Sequence, residues 1–484
     1  MINTAQQQIF KISVGIRLIK NFLSLMVGNI ISKLLTFLGF VIIARNLGPE
    51  NFGKINFAQA ISTYFLIFTH LGLTTFGTRE IANNRDKSAI YVNEIISLRL
   101  ILTVLSFILL TVFSFIIKFP ADTRTLIILF GLSLFPLAMY LDWCFKGLEN
   151  MEFIGMSEIF KAVFLYIFLI IFIKKSEDTG LVPYIFFISA LLGSILLFII
   201  YLVKFDKIKL IGNMNTWRVL TKAALPLGLS FMMIQIYYQA GTVILGFFKG
   251  DAAVGWYNAA YKIILFIIGF AGLFIESIFP IIARFYGKSK QNLNKFSNLI
   301  TKLTASIAIP MGVAGVILTP QIITLFYGPD YHNCIIILRT FFCTAVIILI
   351  SMTFGNSLIA CSGEKKYLIG VFIGALTNII VNLLLIPYFN YVGAAIAMFV
   401  TETIVFIYMM YHYSRIVRVY IEQYLAKPII ASLIMGALVI MLKQTFFISL
   451  IIAIAIYSAV FLLMKGINHE DINSIKYYFH EAKD

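Results

Sequence analysis

The sequence predicts an all-α integral membrane protein of about fourteen transmembrane helices, and three observations point there. Of its 484 residues 60% are hydrophobic and only 12% are charged, against about 25% charged in an ordinary soluble domain. The apolar residues gather in stretches of roughly 20, enough for a helix to cross a hydrocarbon layer about 30 Å thick. Lys and Arg collect in alternate connections. The short alternating segments of an outer-membrane barrel are absent.

The predicted spans lie near 22–44, 57–77, 95–117, 125–145, 153–173, 181–203, 223–248, 259–282, 303–326, 335–360, 367–388, 392–413, 428–442 and 445–464. The thirteenth is short for a crossing, so twelve spans plus a re-entrant pair is the alternative. The first apolar run carries Lys33 at its centre and has no small-residue cleavage site, so it reads as a span and not a signal peptide. Of 38 Lys and Arg, 25 fall in connections on the side of the N-terminus, 8 on the opposite side and five within spans. The positive-inside rule then places both termini in the cytoplasm of a cell-membrane protein. The net charge of +16 is accounted for by those connections and does not call for a nucleic-acid partner. Cys144, Cys334, Cys343 and Cys361 lack metal or redox spacing and read as small apolar packers.

The basic segment 204–222 divides the chain into an N-terminal lobe (1–203, spans 1–6) and a C-terminal lobe (223–413, spans 7–12). Residues 414–484 supply spans 13 and 14 and a cytoplasmic tail. Gly53-Lys-Ile-Asn56-Phe-Ala58 is similar to Gly255-Trp-Tyr-Asn258-Ala-Ala260, at an offset of 202 residues. Both copies open the second span of their lobe. An even number of spans separates them, which describes parallel repeats related by an axis along the membrane normal.

Polar side chains inside spans are informative because lipid penalises them: a lysine at the bilayer centre costs about 2.5–3.5 kcal/mol on insertion scales. Lys33 lies about 11 residues, roughly 16 Å, into its span. Asn29, Ser32, Lys33 and Thr36 share one helical face, and span 7 repeats the spacing with Gln235, Tyr238, Gln239 and Thr242. Span 2 adds Asn56, Gln59, Thr63 and His70; span 8 aligns Asn258, Lys262 and Glu276. Two polar stripes facing a shared aqueous cleft account for this economically. For Ser32 and Thr63 helix–helix hydrogen bonding is the favoured explanation. Snorkelling is an open alternative for Lys262 and the expected behaviour of Arg99 and Arg339. Lys161 has Glu158 one turn earlier, which suffices for a local ion pair. His70, Glu276 and Glu402 are candidates to carry a coupling H⁺ or Na⁺; for His70, packing is an equal alternative. No other cofactor is indicated.

Ala44-Arg-Asn-Leu-Gly-Pro-Glu-Asn-Phe-Gly53 and Leu71-Gly-Leu-Thr-Thr-Phe-Gly-Thr-Arg-Glu-Ile-Ala82 resemble the N-terminal signatures of Wzx-type polysaccharide (O-antigen) flippases. These belong to the multidrug/oligosaccharidyl-lipid/polysaccharide exporter superfamily. Leu325-Phe-Tyr-Gly-Pro-Asp-Tyr331 and Asn378, Asn382, Ile386-Pro387, Gly393-Ala-Ala395 and Thr401-Glu402 resemble its C-terminal pattern. The resemblance covers about residues 20–415. It implies two six-helix lobes around a central cavity that opens alternately to each side, and a substrate of oligosaccharide on polyprenyl diphosphate. A diphosphate in hydrocarbon needs cationic donors, and sugar hydroxyls need amides and hydroxyls. Lys33, Asn29, Lys262, Gln235, Gln239 and Asn56 are therefore the candidate substrate-binding residues. A polysaccharide polymerase is a candidate partner. No nucleotide-binding GxxxxGK[ST] motif occurs, which argues against an ATP-driven pump. The short external loops argue against a membrane glycosyltransferase or polymerase, so the chain reads as a transporter and not an enzyme. A multidrug exporter would favour acidic cavity residues over Lys33 and Lys262. A lipid II flippase fits the same physics.

Overall fold

In the computed structural model the backbone is described for residues 2–210, 212–442 and 444–481. Side chains are described from Ser24 to Tyr478, apart from positions 211, 230, 276, 443, 472, 475 and 476. The α-helices are α1 (Ile2–His70), α2 (Leu73–Asn83), α3 (Ser88–Ile116), α4 (Ala121–Leu132), α5 (Leu134–Ala138), α6 (Asp142–Gly147), α7 (Met151–Phe172) and α8 (Val182–Lys204). They continue with α9 (Met214–Lys249), α10 (Asp251–Lys288), α11 (Lys290–Phe326), α12 (Cys334–Ala360), α13 (Glu364–Ser414), α14 (Ile421–Leu442), α15 (Phe446–Leu463) and α16 (His469–Glu481). Among the described residues there is no strand.

Twelve segments among these residues are long and apolar enough to cross a membrane. Two of them, Ser24–Asn83 and Glu364–Ser414, hold 60 and 51 residues, more than twice the ~20 of one crossing. Each is broken in the middle, at Gly48 (φ 75°) and at Asn390 (φ 55°). Taking the halves separately gives fourteen. The thirteenth predicted span is a 22-residue helix, α14. Its sequence pattern suggests a shorter crossing because Lys427 and Pro428 sit in its first turns. Large apolar side chains cover the outside of these helices: Ile116 is 71% exposed, Leu384 61% and Met441 76%. In water such a surface would drive aggregation; in a bilayer it is the solvated face.

The chain forms two compact units, Met1–Gln239 and Ala240–Asp484. In the first, α1 packs on α7 through small residues, where lipid supplies no hydrophobic drive and close backbone approach must hold helices together. A Cβ at Gly28 would sit 2.6 Å from the Gly155 Cα. Ser157 Oγ of α7 donates to Gly193 O of α8 at 2.9 Å. The first part of α9 belongs to this unit, with Gly228 against the backbone of Leu71. In the second unit α10–α13 surround a core of Ile282, Phe296, Phe354 and Tyr413. Here α14 lies on α11, with Gly436 beside Ile317, and Tyr457 Oη of α15 donates to Ser306 O at 2.7 Å. The tail is not free: α16 returns to this unit, where Tyr478 packs edge-on against Phe285 and Phe296 and Asp471 pairs with Lys302 at 2.6 Å.

The repeat seen in the sequence has the same local structure in both copies. Gly48 (φ 75°, ψ 171°) and Gly250 (φ 81°, ψ −179°) precede the matched segments, again 202 residues apart. Each turns the chain from the first span of its predicted lobe into the next, in a region open essentially to glycine alone. Asn56 Nδ2 donates to Phe52 O at 2.8 Å, and Asn258 Nδ2 to Val254 O at 3.0 Å. A Cβ added at either glycine meets nothing within 4 Å, so the cost of alanine there is conformational. Gly48→Ala and Gly250→Ala should each lose about 1–3 kcal/mol. Thermal unfolding of the purified protein in detergent checks this; an unchanged midpoint in both variants would contradict the turn assignment.

Candidate functional site

The fourth predicted span, read from the sequence as continuous over 125–145, is discontinuous. Helix α4 stops at Leu132, α5 runs only over Leu134–Ala138, and α6 begins at Asp142. Pro136 is the cause: it has no N–H to donate and its ring crowds the carbonyl four residues earlier. Carbonyls freed inside a membrane protein need partners from neighbouring helices. Ser194 Oγ of α8 donates to Pro136 O at 2.7 Å. Arg99 of α3, 1% exposed, donates from Nη2 to Leu137 O at 2.7 Å and from Nη1 to Tyr140 O at 3.4 Å. The expected snorkelling of Arg99 therefore does not occur, because the broken helix supplies the acceptors that water would otherwise provide. Arg339, by contrast, is exposed, as a snorkelling side chain would be.

Beside the break lies a cavity of ≈ 310 Å³. Both halves of α1 contribute to it, Ser32 and Thr36 from the first and Gln59 and Thr63 from the second; α7 adds Glu158 and Lys161, and α8 adds Ser189. Ser133, at the break itself, adds a further hydroxyl, and Phe130 and Phe186, edge-to-face at 5.8 Å, are among the apolar lining. The break also places Tyr140, whose Oη donates to Glu158 Oε1 at 2.7 Å. Lys161 Nζ donates to the same oxygen at 2.8 Å. The Glu158–Lys161 pair expected from sequence is present, but it is one part of a tertiary network. Among the described residues Glu158 Oε2 receives only Ser32 Oγ, at 3.5 Å, the outer limit of a hydrogen bond. Ser133 Oγ is buried with no partner. A buried polar atom left this way costs about 1–3 kcal/mol, which a polar group entering the cavity would offset.

The structure distributes the other candidates. Asn29 and Lys33 are half-buried on the first half of α1, on the polar face that also carries Ser32 and Thr36, but neither lines the cavity. Asn56 is 3% exposed and spends its amide on its own helix. Gln235 and Gln239 are half-buried on α9, within the first unit; Lys262 is half-buried on α10, within the second. His70 Nδ1 lies 3.5 Å from Arg99 Nη2, and its ring packs 5.7 Å from Phe231. Glu402 is 6% exposed on α13. The Glu276 side chain lies outside the described residues. In the C-terminal motif Asn382 donates to Asn378 Oδ1 at 2.9 Å and Asn378 to Thr401 Oγ1 at 3.5 Å, all three buried. Those three side chains join the two halves of α13. Sequence reasoning missed Ser133 and Tyr140, for which Pro136 inside a predicted span was the available signal.

The family model for polysaccharide biosynthesis proteins matches residues 18–286, more than half of the chain. The chain belongs to the polysaccharide biosynthesis protein family. The MatE family model also matches, over residues 226–384. A protein of Escherichia coli (strain K12) provisionally named an O-antigen transporter is 26% identical, over 77% of this chain and 91% of its own. The capsular polysaccharide biosynthesis protein CapF of Staphylococcus aureus is 26% identical, over 82% of this chain and all of its own. Among solved structures, the lipid II flippase MurJ in an inward closed conformation superposes with a TM-score of 0.77 at 17% identity, covering 91% of this chain and 98% of MurJ. An inward-facing multidrug resistance transporter of the MATE family gives 0.63 at 16%, covering 79% and 95%. At those identities the structures establish a shared fold. This member of the polysaccharide biosynthesis family is thus a multi-pass membrane protein with a MurJ- and MATE-like fold.

Proposed function

We propose that this protein is a flippase that carries oligosaccharide linked to polyprenyl diphosphate from the cytoplasmic to the outer leaflet of the cell membrane by alternating access. The observation that carries this reading is a cavity with polar and apolar lining beside a broken span, inside a multi-pass membrane member of a polysaccharide biosynthesis family. Substrate and ion sites in transporters are typically formed by such discontinuous helices. The names of the two relatives, one an O-antigen transporter and one a capsule protein, support an O-antigen or capsule repeat unit as cargo.

In this reading the lobes are 1–203 and 223–413, joined by the 204–222 segment, and both termini are cytoplasmic. Lys33 and Lys262 attract the diphosphate; Asn29, Gln235 and Gln239 supply hydrogen bonds, whereas Asn56, buried with its amide on Phe52 O, holds its own helix. Glu276, Glu402 or His70 carries the coupling H⁺ or Na⁺, and a polysaccharide polymerase receives the product. The protein acts as a transporter and not as an enzyme. Lipid II and cationic drugs are the rival cargoes suggested by the fold relatives. Deleting the gene tests the choice. Lipid-linked oligosaccharide should accumulate in the cytoplasmic leaflet while its synthesis continues and lipid II export is unaffected. Normal delivery of the glycan to the outer leaflet, in a strain with no second flippase, would rule the reading out.

A further inference from the structure

The cavity beside the broken fourth span has features that narrow what it receives. Its ≈ 310 Å³ stands at the lower end of small-molecule sites, roughly 300–1,000 Å³, and is far more than one ion requires. Its one carboxylate already has an ammonium at 2.8 Å. Lys161 therefore stands where a bound Na⁺ would stand, and the pair adds no net charge that would attract a diphosphate. What remains unsatisfied is hydrogen-bonding capacity. Oε2 of Glu158 has lone pairs to spare, because an ionised carboxylate offers about four acceptor sites and its close contacts both fall on Oε1. Ser133 Oγ has no partner. The same cavity is also lined by Phe130 and Phe186, which pack edge-to-face on each other.

A neutral ligand that carries both hydroxyls and C–H groups fits this mixed lining, and a pyranose ring has that make-up. We infer that this cavity in the first unit is a monosaccharide subsite, in which Glu158 Oε2 and Ser133 Oγ hydrogen-bond the hydroxyls of one sugar of the cargo. The inference rests on the flippase reading above and adds where, and by which atoms, one sugar is recognised. A site built to hydrogen-bond substrate hydroxyls discriminates strongly against a ligand that lacks them, because its own polar groups are then left unpaired. The subsite thus gives the protein a means of admitting glycosylated carrier in preference to the bare lipid diphosphate.

The test uses the purified full-length protein in detergent. The probes are farnesyl diphosphate and its conjugates with glucose, galactose, N-acetylglucosamine and N-acetylgalactosamine. At least one conjugate should bind about tenfold or more tightly than farnesyl diphosphate. Ser133→Ala removes a hydroxyl with no partner in the protein, so the fold is not at stake. Ala162→Leu fills the cavity from its wall, where Ala162 is 1% exposed. Each variant should abolish the margin of the conjugate and leave the affinity for farnesyl diphosphate unchanged. Equal affinity for all five probes, or a margin retained in both variants, overturns the subsite. A cation-carrying role for the cavity predicts that outcome, with Glu158→Gln altering only the dependence on pH or Na⁺. Failure of farnesyl diphosphate and every conjugate to bind defeats the flippase reading itself, and the subsite with it.

Discussion

Lys33→Ala should reduce glycan export about tenfold or more without lowering the amount of protein in the membrane, the scale of one charge-assisted hydrogen bond lost at about 1.5–3 kcal/mol. The side chain is half-buried on the polar face of α1, and the sequence sets it about 11 residues into its span, near the middle of the hydrocarbon layer. A charge held at that depth is retained for a purpose more often than for packing. Lys33→Arg keeps the charge and should retain part of the activity, although a planar guanidinium is bulkier than an ammonium. Lys33→Gln keeps hydrogen bonding without charge and should behave as the alanine variant does. Complementation of a flippase-deficient strain, with membrane levels checked by blotting, reads all three. Full export by a well-expressed Lys33→Ala protein would make this lysine a structural residue.

Arg99→Met should destabilise the first unit more than any single change at an exposed basic residue. The guanidinium is 1% exposed and serves the carbonyls of Leu137 and Tyr140 at the broken span. Methionine of similar length takes the Arg99 donor from Tyr140 O and leaves Leu137 O with only a long backbone bond from Tyr140 N–H at 3.4 Å, a loss of about 1–3 kcal/mol. Loss of the break geometry also displaces Tyr140 from Glu158 and Ser133 from the cavity wall. The expected result is a lower unfolding temperature in detergent and less protein in the membrane. Arg99→Lys should recover part of the loss, because one ammonium cannot reproduce the two-pronged geometry of a guanidinium. Wild-type stability of Arg99→Met would show that the broken span closes by itself.

The fate of Arg99 marks where the sequence stops being informative. Hydropathy locates the spans because each is a local property of about twenty residues. The repeat is legible for a related reason: Gly48 and Gly250 each need a backbone conformation that only glycine adopts freely, so the constraint is written in the residue. The polar faces of spans 1 and 2 are likewise legible from helical spacing, and Ser32, Thr36, Gln59 and Thr63 do line one cavity. The network around Glu158 is not legible in this way. Its pairing with Lys161 is local, three residues apart, but Tyr140 reaches it only because Pro136 interrupts α4–α6. Which carbonyls the broken span leaves open, and that Arg99 and Ser194 reach them, depends on helices brought together from 38 and 58 residues away in sequence. The return of α16 is hidden for the same reason. Tyr478 and Asp471 look like ordinary tail residues until Phe285, Phe296 and Lys302 are placed beside them.

The most direct measurement places the purified protein in lipid vesicles with a short-chain polyprenyl-diphosphate-linked oligosaccharide and follows access of an added glycosidase to the sugar. Vesicles that contain the protein should expose, in the absence of nucleotide, the half of the glycan that protein-free vesicles keep sheltered, and Lys33→Ala should slow that exposure about tenfold. Folded wild-type protein that leaves the sheltered glycan inaccessible, with either an H⁺ or a Na⁺ gradient imposed, would contradict the assignment of this chain as a lipid-linked oligosaccharide flippase.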